Sequence, residues 1–310
     1  MMNKDINELF DSQLEDWSLA KQNYATLKKV TLKEIQVDGA TLTLQFNPAR
    51  IISSSAKVDK KTLAERPCFL CHKNLPEKQR GIDLSENFAL LVNPFPILRK
   101  HFTIVNRKHI PQRLLPFIED MLKISTQLSK EYTVFYNGPK CGASAPDHMH
   151  FQAGLSEQFP IWSILERVQA EVVYQKEFIK LEAFEGYVNA FILKGTAKKQ
   201  LINLLINILN AFSDFQTDED EPMLNVLAKY DGEWQIILFP REKHRPSQYF
   251  EEGDKQVLLS PASVDFGGLL AVPRKEDFKK INESLLSDIF EQLTLNTEDF
   301  KKLKEELRTL

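Results

Sequence analysis

The chain has 310 residues, of which 43% are hydrophobic and 27% are charged, and its formal charge is −3. This composition is ordinary for a globular protein with one large or two medium domains, and the small net charge gives no general attraction to nucleic acid or to an anionic membrane. No apolar run approaches the roughly 20 residues of a transmembrane helix. With no signal-peptide pattern and only three cysteines, the sequence predicts a cytoplasmic protein that binds neither nucleic acid nor a membrane.

The first half of the sequence alternates between helical and strand-like patterns. Asp38-Gly39 lies between two alternating runs, which is a strong signal for a β-hairpin. Residues 47–88 carry turn-forming residues and are predicted to be a loop. The complete prediction for this half is a helix at 4–29, strands at 30–37, 40–46, 88–92 and 101–105, a helix at 111–130, and strands at 132–136 and 148–155.

The second half repeats this mixture of strands around one principal helix. Its predicted elements are strand-like runs at 170–183 and 186–194, a helix at 196–213, strands at 223–230, 234–239, 256–260 and 268–272, and helices at 275–292 and 297–308. Mixed elements with several hairpin-like connections favour an α+β fold with mainly antiparallel sheets packed against helices. We therefore predict two halves, 1–160 and 161–310, that are related as a pseudo-repeat.

The run His148-Met-His-Phe-Gln152 carries the strongest chemical signal. In a strand, alternate residues share a face, so His148, His150 and Gln152 would form one polar row. The turn before them contains Gly138 and Ser144, and its backbone amides could bind an anion. Three interpretations remain open for the two imidazoles: a nucleophile toward phosphorus, a pair of metal ligands, or a strand that merely contains histidines.

Cys68-Phe-Leu-Cys71 has the spacing of half a zinc site. A tetrahedral site needs two more ligands, for which His101, His109 and His148 are candidates. Such a site would fix the long loop against the strand that carries the histidine pair. The alternatives are two buried small residues or a redox pair.

A basic cluster directly follows a predicted apolar strand. It contains Arg241, Lys243, His244 and Arg245. Guanidinium and ammonium groups at the end of a strand could clamp phosphates. The alternative is a solvated basic loop.

Taken together, these motifs resemble the histidine triad superfamily, in the branch of galactose-1-phosphate uridylyltransferases, GDP-hexose phosphorylases and diadenosine tetraphosphate phosphorylases. This branch has H-x-H-x-Q where small histidine triad proteins have H-x-H-x-H, and His148-Met-His-Phe-Gln152 follows the first pattern. Further segments that resemble the branch are Phe46-Asn-Pro48, Cys68-Phe-Leu-Cys71, Asn93-Pro-Phe-Pro96, His101–His109, Trp234–Arg241 and Gly267–Arg274. The resemblance implies two histidine-triad-like halves that together complete one site.

The resemblance also implies roles for individual residues. His150 is the expected nucleophile, Gln152 donates to the phosphoryl oxygens, and Ser144 steadies the same phosphate. Asn93, Asn137 and Gly138 are expected to contact the nucleotide, and the basic cluster adds Arg241, Lys243 and Arg245 to this set. The zinc ligands implied are Cys68, Cys71, His109 and His148.

The implied activity is nucleotidyl transfer through a nucleotidyl-histidine intermediate. The expected substrate is a nucleoside diphosphate sugar, and phosphate or a sugar phosphate is the expected acceptor. The phosphorylases of the branch generally lack the cysteine pair, so the chain combines features of several members. The alternatives are a dinucleoside polyphosphate phosphorylase or hydrolase, and an inactive zinc-stabilised protein that binds nucleotides. Two-fold contacts are common in the branch, which makes a homodimer one candidate assembly.

Overall fold

The computed structural model describes residues 2–51, 60–214 and 221–310. It confirms the predicted α+β class, with two antiparallel-rich sheets and helices packed against them. Residues 52–59 of the predicted loop lie outside the described residues. In the part of the chain that the structure describes, no helix has the length and apolar character needed to cross a bilayer.

Residues 2–165 contain five α-helices and seven strands in the part that the structure describes. The helices are α1 (Met2–Asp16), α2 (Ser18–Leu27), α3 (Lys60–Glu65), α4 (Ile118–Leu128) and α5 (Ile161–Leu165), the last at the junction between the halves. The strands are β1 (Thr31–Val37), β2 (Ala40–Phe46), β3 (Gly81–Asp83), β4 (Phe88–Val92), β5 (His101–Asn106), β6 (Tyr132–Asn137) and β7 (His150–Leu155).

The second half continues the same sheets. Its strands are β8 (Glu171–Lys176), β9 (Ile179–Glu185), β10 (Asn189–Gly195), β11 (Leu224–Tyr230), β12 (Trp234–Pro240) and β13 (Leu269–Val272). Its helices are α6 (Lys198–Asp214), α7 (Ser263–Phe266), α8 (Lys275–Lys280), α9 (Glu283–Leu293) and α10 (Thr297–Leu307).

Ten strands form one antiparallel sheet in the order β3-β4-β5-β7-β6-β11-β12-β10-β9-β8. The order reads as two five-stranded sets that meet at β6 and β11. In each set a long helix, α4 or α6, connects the third strand to the strand at the junction. The two halves of the chain therefore have the same strand order, as a pseudo-repeat requires. The division at residue 160 itself stays a prediction.

The two faces of the large sheet have different coverings. One face is an apolar layer that includes Met149, Phe151 and Ala153 and packs with side chains of α1, α2, α4, α6 and α10. The opposite face is covered by a second apolar cluster that includes β1, β2 and β13. These three strands form a small sheet in which β13 pairs with β2 in parallel. His150 and Gln152 lie on this second face, because they alternate with Met149, Phe151 and Ala153.

The hairpin at Asp38-Gly39 has the predicted form. Both residues have positive φ, 48° and 76°, as the favoured two-residue hairpin turn requires. The predicted helix at 4–29 is interrupted at Trp17, whose backbone is extended while its side chain is buried. The predicted helix at 111–130 begins only at Ile118, because Gln112 is bound to β6 and β7 instead.

Two further strand predictions are corrected. Residues 170–183 form two strands, β8 and β9, that turn at residues 177–178. Residues 256–260 form no strand: the Leu258 amide donates to Asp277 Oδ2, and the Val257 amide donates to the carbonyl oxygen of Gln248, which belongs to no strand. The predicted polar row of three residues is also shorter, since β7 begins at His150 and His148 precedes it.

Candidate functional site

The imidazole of His150 is held in one tautomer by its own chain. Its Nδ1 lies 2.8 Å from the carbonyl oxygen of His148, and a carbonyl can only accept, so Nδ1 carries the proton. The opposite nitrogen, Nε2, then has a free lone pair and no hydrogen-bond partner among the described residues. Burial lowers the pKa of His150 to about 4, so the ring is neutral at physiological pH. A neutral imidazole with a fixed Nδ1 proton is the form of histidine that can act as a nucleophile.

The buried side chain of Gln112 joins the two strands of the site. Direct pairing between β6 and β7 ends at Phe135 and Gln152. Beyond that pair, the Gln112 amide donates to the carbonyl oxygens of Asn137 at 3.0 Å and His150 at 2.9 Å. Its carbonyl accepts from the backbone amide of His150 at 2.8 Å. Gln112 therefore fixes the backbone at both Asn137 and His150.

Gln152 is oriented by His101, on the neighbouring strand β5. The backbone amide of Ile97 points at His101 Nδ1 at 3.3 Å, so Nδ1 accepts and Nε2 carries the proton. Nε2 then donates to Gln152 Oε1 at 2.9 Å. Burial lowers the pKa of His101 to about 3, which keeps the ring neutral. The Gln152 carbonyl is thus occupied, and its NH₂ group is left to donate to a ligand.

The turn between β6 and β7 packs tightly on the second half of the protein. Gly142 has a φ of 96°, and a Cβ built there would come within 2.6 Å of the Ala262 side chain. A Cβ at Gly138 would approach the carbonyl oxygen of Leu224 to 2.8 Å. Only glycine fits both positions. Ser144, predicted to steady a phosphate, is exposed in the same turn.

Asn137 occupies the end of β6, next to His150. Its Oδ1 accepts hydrogen bonds from Asn225 Nδ2 and from the Ser263 amide, both at 2.9 Å. It also lies 2.7 Å from Ser263 Oγ, whose single hydrogen is shared with the Tyr136 carbonyl oxygen at 2.6 Å. The structure therefore brings the predicted residue Asn137 beside the predicted nucleophile. The two residues that contact its Oδ1, Asn225 and Ser263, both belong to the second half of the chain.

Asn93 lies near the same group. Its amide nitrogen is 3.5 Å from His101 Nε2, and its Oδ1 accepts from the Phe95 amide at 2.9 Å. The Asn47 amide lies 3.4 Å from the Pro96 carbonyl oxygen. Two segments that the sequence separates, 46–48 and 93–96, are thus neighbours beside His101.

Arg241 has a different role from the predicted phosphate clamp. Its side chain is 0% exposed, and all five guanidinium N–H groups donate to protein oxygens. The acceptors are Asn225 Oδ1 and the carbonyl oxygens of Leu293, Pro261, Lys243 and His244. Because these donors are already used, Arg241 supports the fold of its surroundings and has none left for a phosphate.

Lys243 and Arg245 do not join the site through any described contact. Lys243 is exposed, and Arg245 donates to Ser260 Oγ at 3.2 Å while its guanidinium stacks 4.2 Å from the Tyr249 ring. Among the described residues, neither side chain contacts Asn137, His150 or Gln152. Their predicted part in nucleotide binding stays a prediction.

Cys68, Cys71, His109 and His148 form a group whose ligand atoms all lie within 4.8 Å of one another. The two Nδ1 atoms are 3.3 Å apart, and three sulfur–nitrogen distances are 3.3, 3.3 and 3.6 Å. A tetrahedral ion with bonds of about 2.0–2.3 Å places such atoms about 3.3–3.6 Å apart. The group therefore has the composition and size of a metal-binding site with four protein ligands.

The surroundings of the group favour metal binding. His148 Nε2 donates to the Asn106 carbonyl at 2.7 Å, which turns the Nδ1 lone pair toward the cysteines. Asp147 lies 3.8 Å from His109 Nε2 and pairs with Arg66 at 2.9 Å. Burial and the neighbouring Cys68 raise the pKa of Cys71, so a bound cation is what would favour the Cys71 thiolate.

Three residues that hold this site are not found from the sequence motifs. They are Gln112, Asn225 and Ser263. His101 is among the predicted candidate metal ligands, but it lies outside the group of possible ligands and orients Gln152 instead. Gln112 precedes His150 by 38 positions, and no local spacing connects the two. Asn225 and Ser263 come from the other half of the chain. The only sequence signal is a buried polar residue within an apolar segment, which Asn225 shows within Leu224–Tyr230.

Two family models cover nearly the whole chain. Residues 9–155 match a domain of unknown function, DUF4922, and residues 164–310 match the carboxyl-terminal domain of GDPGP1-like proteins. No curated protein matches the chain in sequence.

Crystal structures of the yeast Ap4A phosphorylase Apa2 share the fold at 18% identity. The complex with Ap4A has a TM-score of 0.62 and covers 93% of this chain and 98% of the yeast chain. The complex with AMP has a TM-score of 0.61 and covers 96% and 98%. These comparisons bear out the resemblance drawn from the motifs: residues 164–310 match a GDPGP1-like domain, and the chain shares the fold of the yeast Ap4A phosphorylase.

Proposed function

We propose that the protein is a nucleotidyltransferase that uses His150 as its nucleophile and acts on a nucleoside diphosphate sugar. The observation that carries this proposal is the tautomer of His150. Its Nδ1 proton is bound to the His148 carbonyl, so the free lone pair is on Nε2. The resemblance of His148-Met-His-Phe-Gln152 to the corresponding segment of GDP-hexose phosphorylases supports a nucleotide sugar as the donor.

In the first step, His150 Nε2 attacks the α-phosphorus of the donor. An N–P bond forms, the P–O bond to the sugar phosphate breaks, and the sugar 1-phosphate leaves with the electron pair of that bond. The Gln152 NH₂ group donates to the oxygens of the transferring phosphoryl group, because its carbonyl is held by His101. As the N–P bond forms, the ring becomes positive, and the His148 carbonyl on Nδ1–H stabilises that charge.

In the second step, the acceptor oxygen attacks the phosphorus of the nucleotidyl-histidine. The P–N bond breaks and its electron pair returns to His150 Nε2, which restores the neutral ring. With inorganic phosphate as the acceptor, the product is a nucleoside diphosphate. With a sugar phosphate, the product is a new nucleotide sugar. Ser144 and the backbone amides of its turn are the proposed additional contacts of the phosphate, and Asn93, Asn137 and Gly138 those of the nucleotide.

Zinc is the proposed metal of the Cys68, Cys71, His109 and His148 group, in a structural role. Four protein ligands leave no open position for substrate, and two thiolates with two imidazoles are a set that zinc prefers. The ion would hold His148, whose carbonyl fixes the His150 tautomer. We expect purified protein to contain one zinc per chain by elemental analysis, and Cys68→Ser to lose the zinc and to lower the melting temperature. Protein free of metal, with thiols that react readily in the native state, would contradict this proposal.

The nucleophile is tested by trapping the intermediate. The protein is mixed with GDP-, UDP- or ADP-sugars without an acceptor, quenched in alkali, which preserves a phosphoramidate, and measured by intact mass. We expect a nucleoside monophosphate adduct on the wild type and none on His150→Asn. His244→Asn is the matched control, since His244 is a histidine outside the site and should leave the adduct unchanged. Absence of an adduct with every donor, or full turnover by His150→Asn, would refute the mechanism.

The second candidate is a dinucleoside polyphosphate phosphorylase or hydrolase. It is favoured by the shared fold with a yeast Ap4A phosphorylase over 98% of that chain. Products distinguish the candidates, because a dinucleotide phosphorylase releases ADP and ATP from Ap4A in phosphate. A nucleotide-sugar phosphorylase instead converts the nucleotide sugar and phosphate into a sugar phosphate and a nucleoside diphosphate.

The third candidate is an inactive nucleotide-binding protein. Binding of zinc and nucleotide without turnover of either substrate would favour it.

A further inference from the structure

We propose that Asn225, on the second half of the chain, is a positioning residue that turns the amide of Asn137 toward the phosphoryl group transferred by His150. The effect of Asn225 on phosphoryl transfer rests on the proposed function. The orientation of Asn225 and Asn137 rests only on hydrogen bonds whose donors and acceptors are known.

The orientation of Asn225 is set by groups that have only one hydrogen-bonding role. Arg241 can only donate, and its Nη1 contacts Asn225 Oδ1. The carbonyl oxygen of Cys141 can only accept, and Asn225 Nδ2 donates to it at 2.8 Å. Asn225 therefore faces Asn137 with its NH₂ group and cannot be reversed without breaking both contacts.

The orientation of Asn137 follows from that of Asn225. The NH₂ group of Asn225 and the backbone amide of Ser263 are both donors, and both point at the same atom of Asn137 at 2.9 Å. That atom must be the carbonyl oxygen, Oδ1. The Nδ2 group of Asn137 is thereby directed out of this network, and it has no hydrogen-bond partner among the described residues.

Register places this NH₂ group beside the nucleophile. Phe135 of β6 lies directly opposite Gln152 of β7. Because the strands are antiparallel, Asn137, two residues later in β6, corresponds to His150, two residues earlier in β7. Residues two apart share a face, which puts Asn137, His150 and Gln152 on the same face of the sheet. Gln112 bridges the backbones of Asn137 and His150. The phosphoryl group on His150 Nε2 would thus lie between two amide donors, Gln152 on one side and Asn137 on the other.

Burial explains why the network is rigid. Asn225, Arg241 and Ser263 are each 0% exposed, so water cannot replace a lost partner. A wrong orientation of either asparagine would leave buried donors facing donors, at a cost of about 1–3 kcal/mol for each unsatisfied group. The second half of the protein therefore acts on the site through orientation, although it supplies neither His150 nor Gln152.

The test uses Asn225→Asp in the full-length protein. A carboxylate keeps the shape of asparagine and the contact with Arg241, but it cannot donate to Asn137 Oδ1 or to the Cys141 carbonyl oxygen. The Ser263 amide still points at this atom of Asn137. Because a hydrogen bond to a carboxylate is stronger than one between neutral groups, the Asn137 amide is expected to reverse, so that Nδ2 donates to the carboxylate and Oδ1 faces the phosphoryl group. In single-turnover adduct formation with a nucleotide sugar, we expect the rate constant at saturating donor to fall at least about tenfold, as expected for loss of a donor to a developing charge. The donor concentration that gives half the maximal rate should change much less.

A second readout follows the Asn137 side chain itself. Its NH₂ resonance is assigned by its loss in Asn137→Asp, and its exchange with water is compared in wild type and Asn225→Asp by ¹⁵N-edited NMR. We expect fast exchange in the wild type and slower exchange in Asn225→Asp, where the group is bound inside the network. Ser263→Ala removes only the hydroxyl that Asn137 Oδ1 shares with the Tyr136 carbonyl oxygen, so it should lower the adduct rate in the same direction by a smaller factor.

Asn189→Asp is the matched control. Asn189 also donates to a backbone carbonyl, that of Leu295 at 3.1 Å, in the same half of the protein. It should lose some stability but keep the wild-type adduct rate. A wild-type rate in Asn225→Asp would overturn the proposal while leaving the nucleotidyl-transfer function intact. If the wild type forms no adduct with any donor, the function fails, and the NMR comparison alone decides whether Asn225 orients Asn137.

Discussion

At the residue scale, the site depends on which nitrogen of each histidine carries a proton. The tautomers of His101 and His150 are both fixed by backbone groups, an amide in one case and a carbonyl in the other. The sequence motif predicts His150 and Gln152 because they occupy alternate positions of one strand. It cannot predict the two backbone partners, because Ile97 and the His148 carbonyl are placed by the path of the chain and not by residue type.

Burial of the two neutral histidines makes stability depend on pH. The pKa of His150 is lowered to about 4 and that of His101 to about 3, against about 6.5 in an unfolded chain. Between pH 6.5 and 4 the unfolded state therefore binds more protons than the folded state, and stability falls as the pH falls. We expect urea unfolding at pH 7.5, 6.0 and 5.0 to show this loss.

The contribution of His150 is isolated by His150→Asn, which has no group that titrates in this range. The variant should lose less stability than the wild type between pH 7.5 and 5.0. Equal slopes for wild type and His150→Asn would mean that His150 is not held neutral by the fold.

At the scale of elements, the site is built where β6 and β7 separate. The sequence predicts both strands and the turn between them, but it assigns Gln112 to a helix. In the structure the helix starts six residues later, and the Gln112 side chain makes the hydrogen bonds that the separated strands do not make with each other. Helical periodicity cannot reveal this, because the competing partners of Gln112 lie 25 and 38 residues away in sequence.

Replacement of Gln112 should therefore be costly. Gln112→Leu leaves the amide of His150 and the carbonyls of His150 and Asn137 buried without partners, which predicts a loss of about 3 kcal/mol or more in unfolding free energy. Gln127→Leu is the control, since Gln127 donates one hydrogen bond, to Leu84 at 3.0 Å, and should cost about 1 kcal/mol. Both are measured by urea unfolding. A similar cost for the two variants would show that Gln112 does not hold the strands together.

At the scale of the whole molecule, the sequence predicts two related halves but not how they join. The ten-stranded sheet crosses the junction without a gap, because β6 pairs with β11 from Val134–Ala228 to Asn137–Asn225. The small sheet also combines both halves, through β2 and β13. Strand pairs between distant segments carry no local pattern, and this is why the shared sheet and the contact of Asn225 with Asn137 emerge only from the folded chain.

The continuous sheet predicts that neither half is stable alone. A fragment of residues 1–160 would expose β6, where Val134 and Tyr136 are completely buried in the whole chain, and would leave β2 without β13. Exposed apolar strand edges favour aggregation. We expect fragments 1–160 and 161–310 to be insoluble or unfolded when expressed singly, and to form a soluble 1:1 complex when expressed together. The complex should regain adduct formation on His150, because Asn225 then again faces Asn137. A fragment 1–160 that unfolds cooperatively as a monomer and forms the adduct would show that the site needs nothing from the second half.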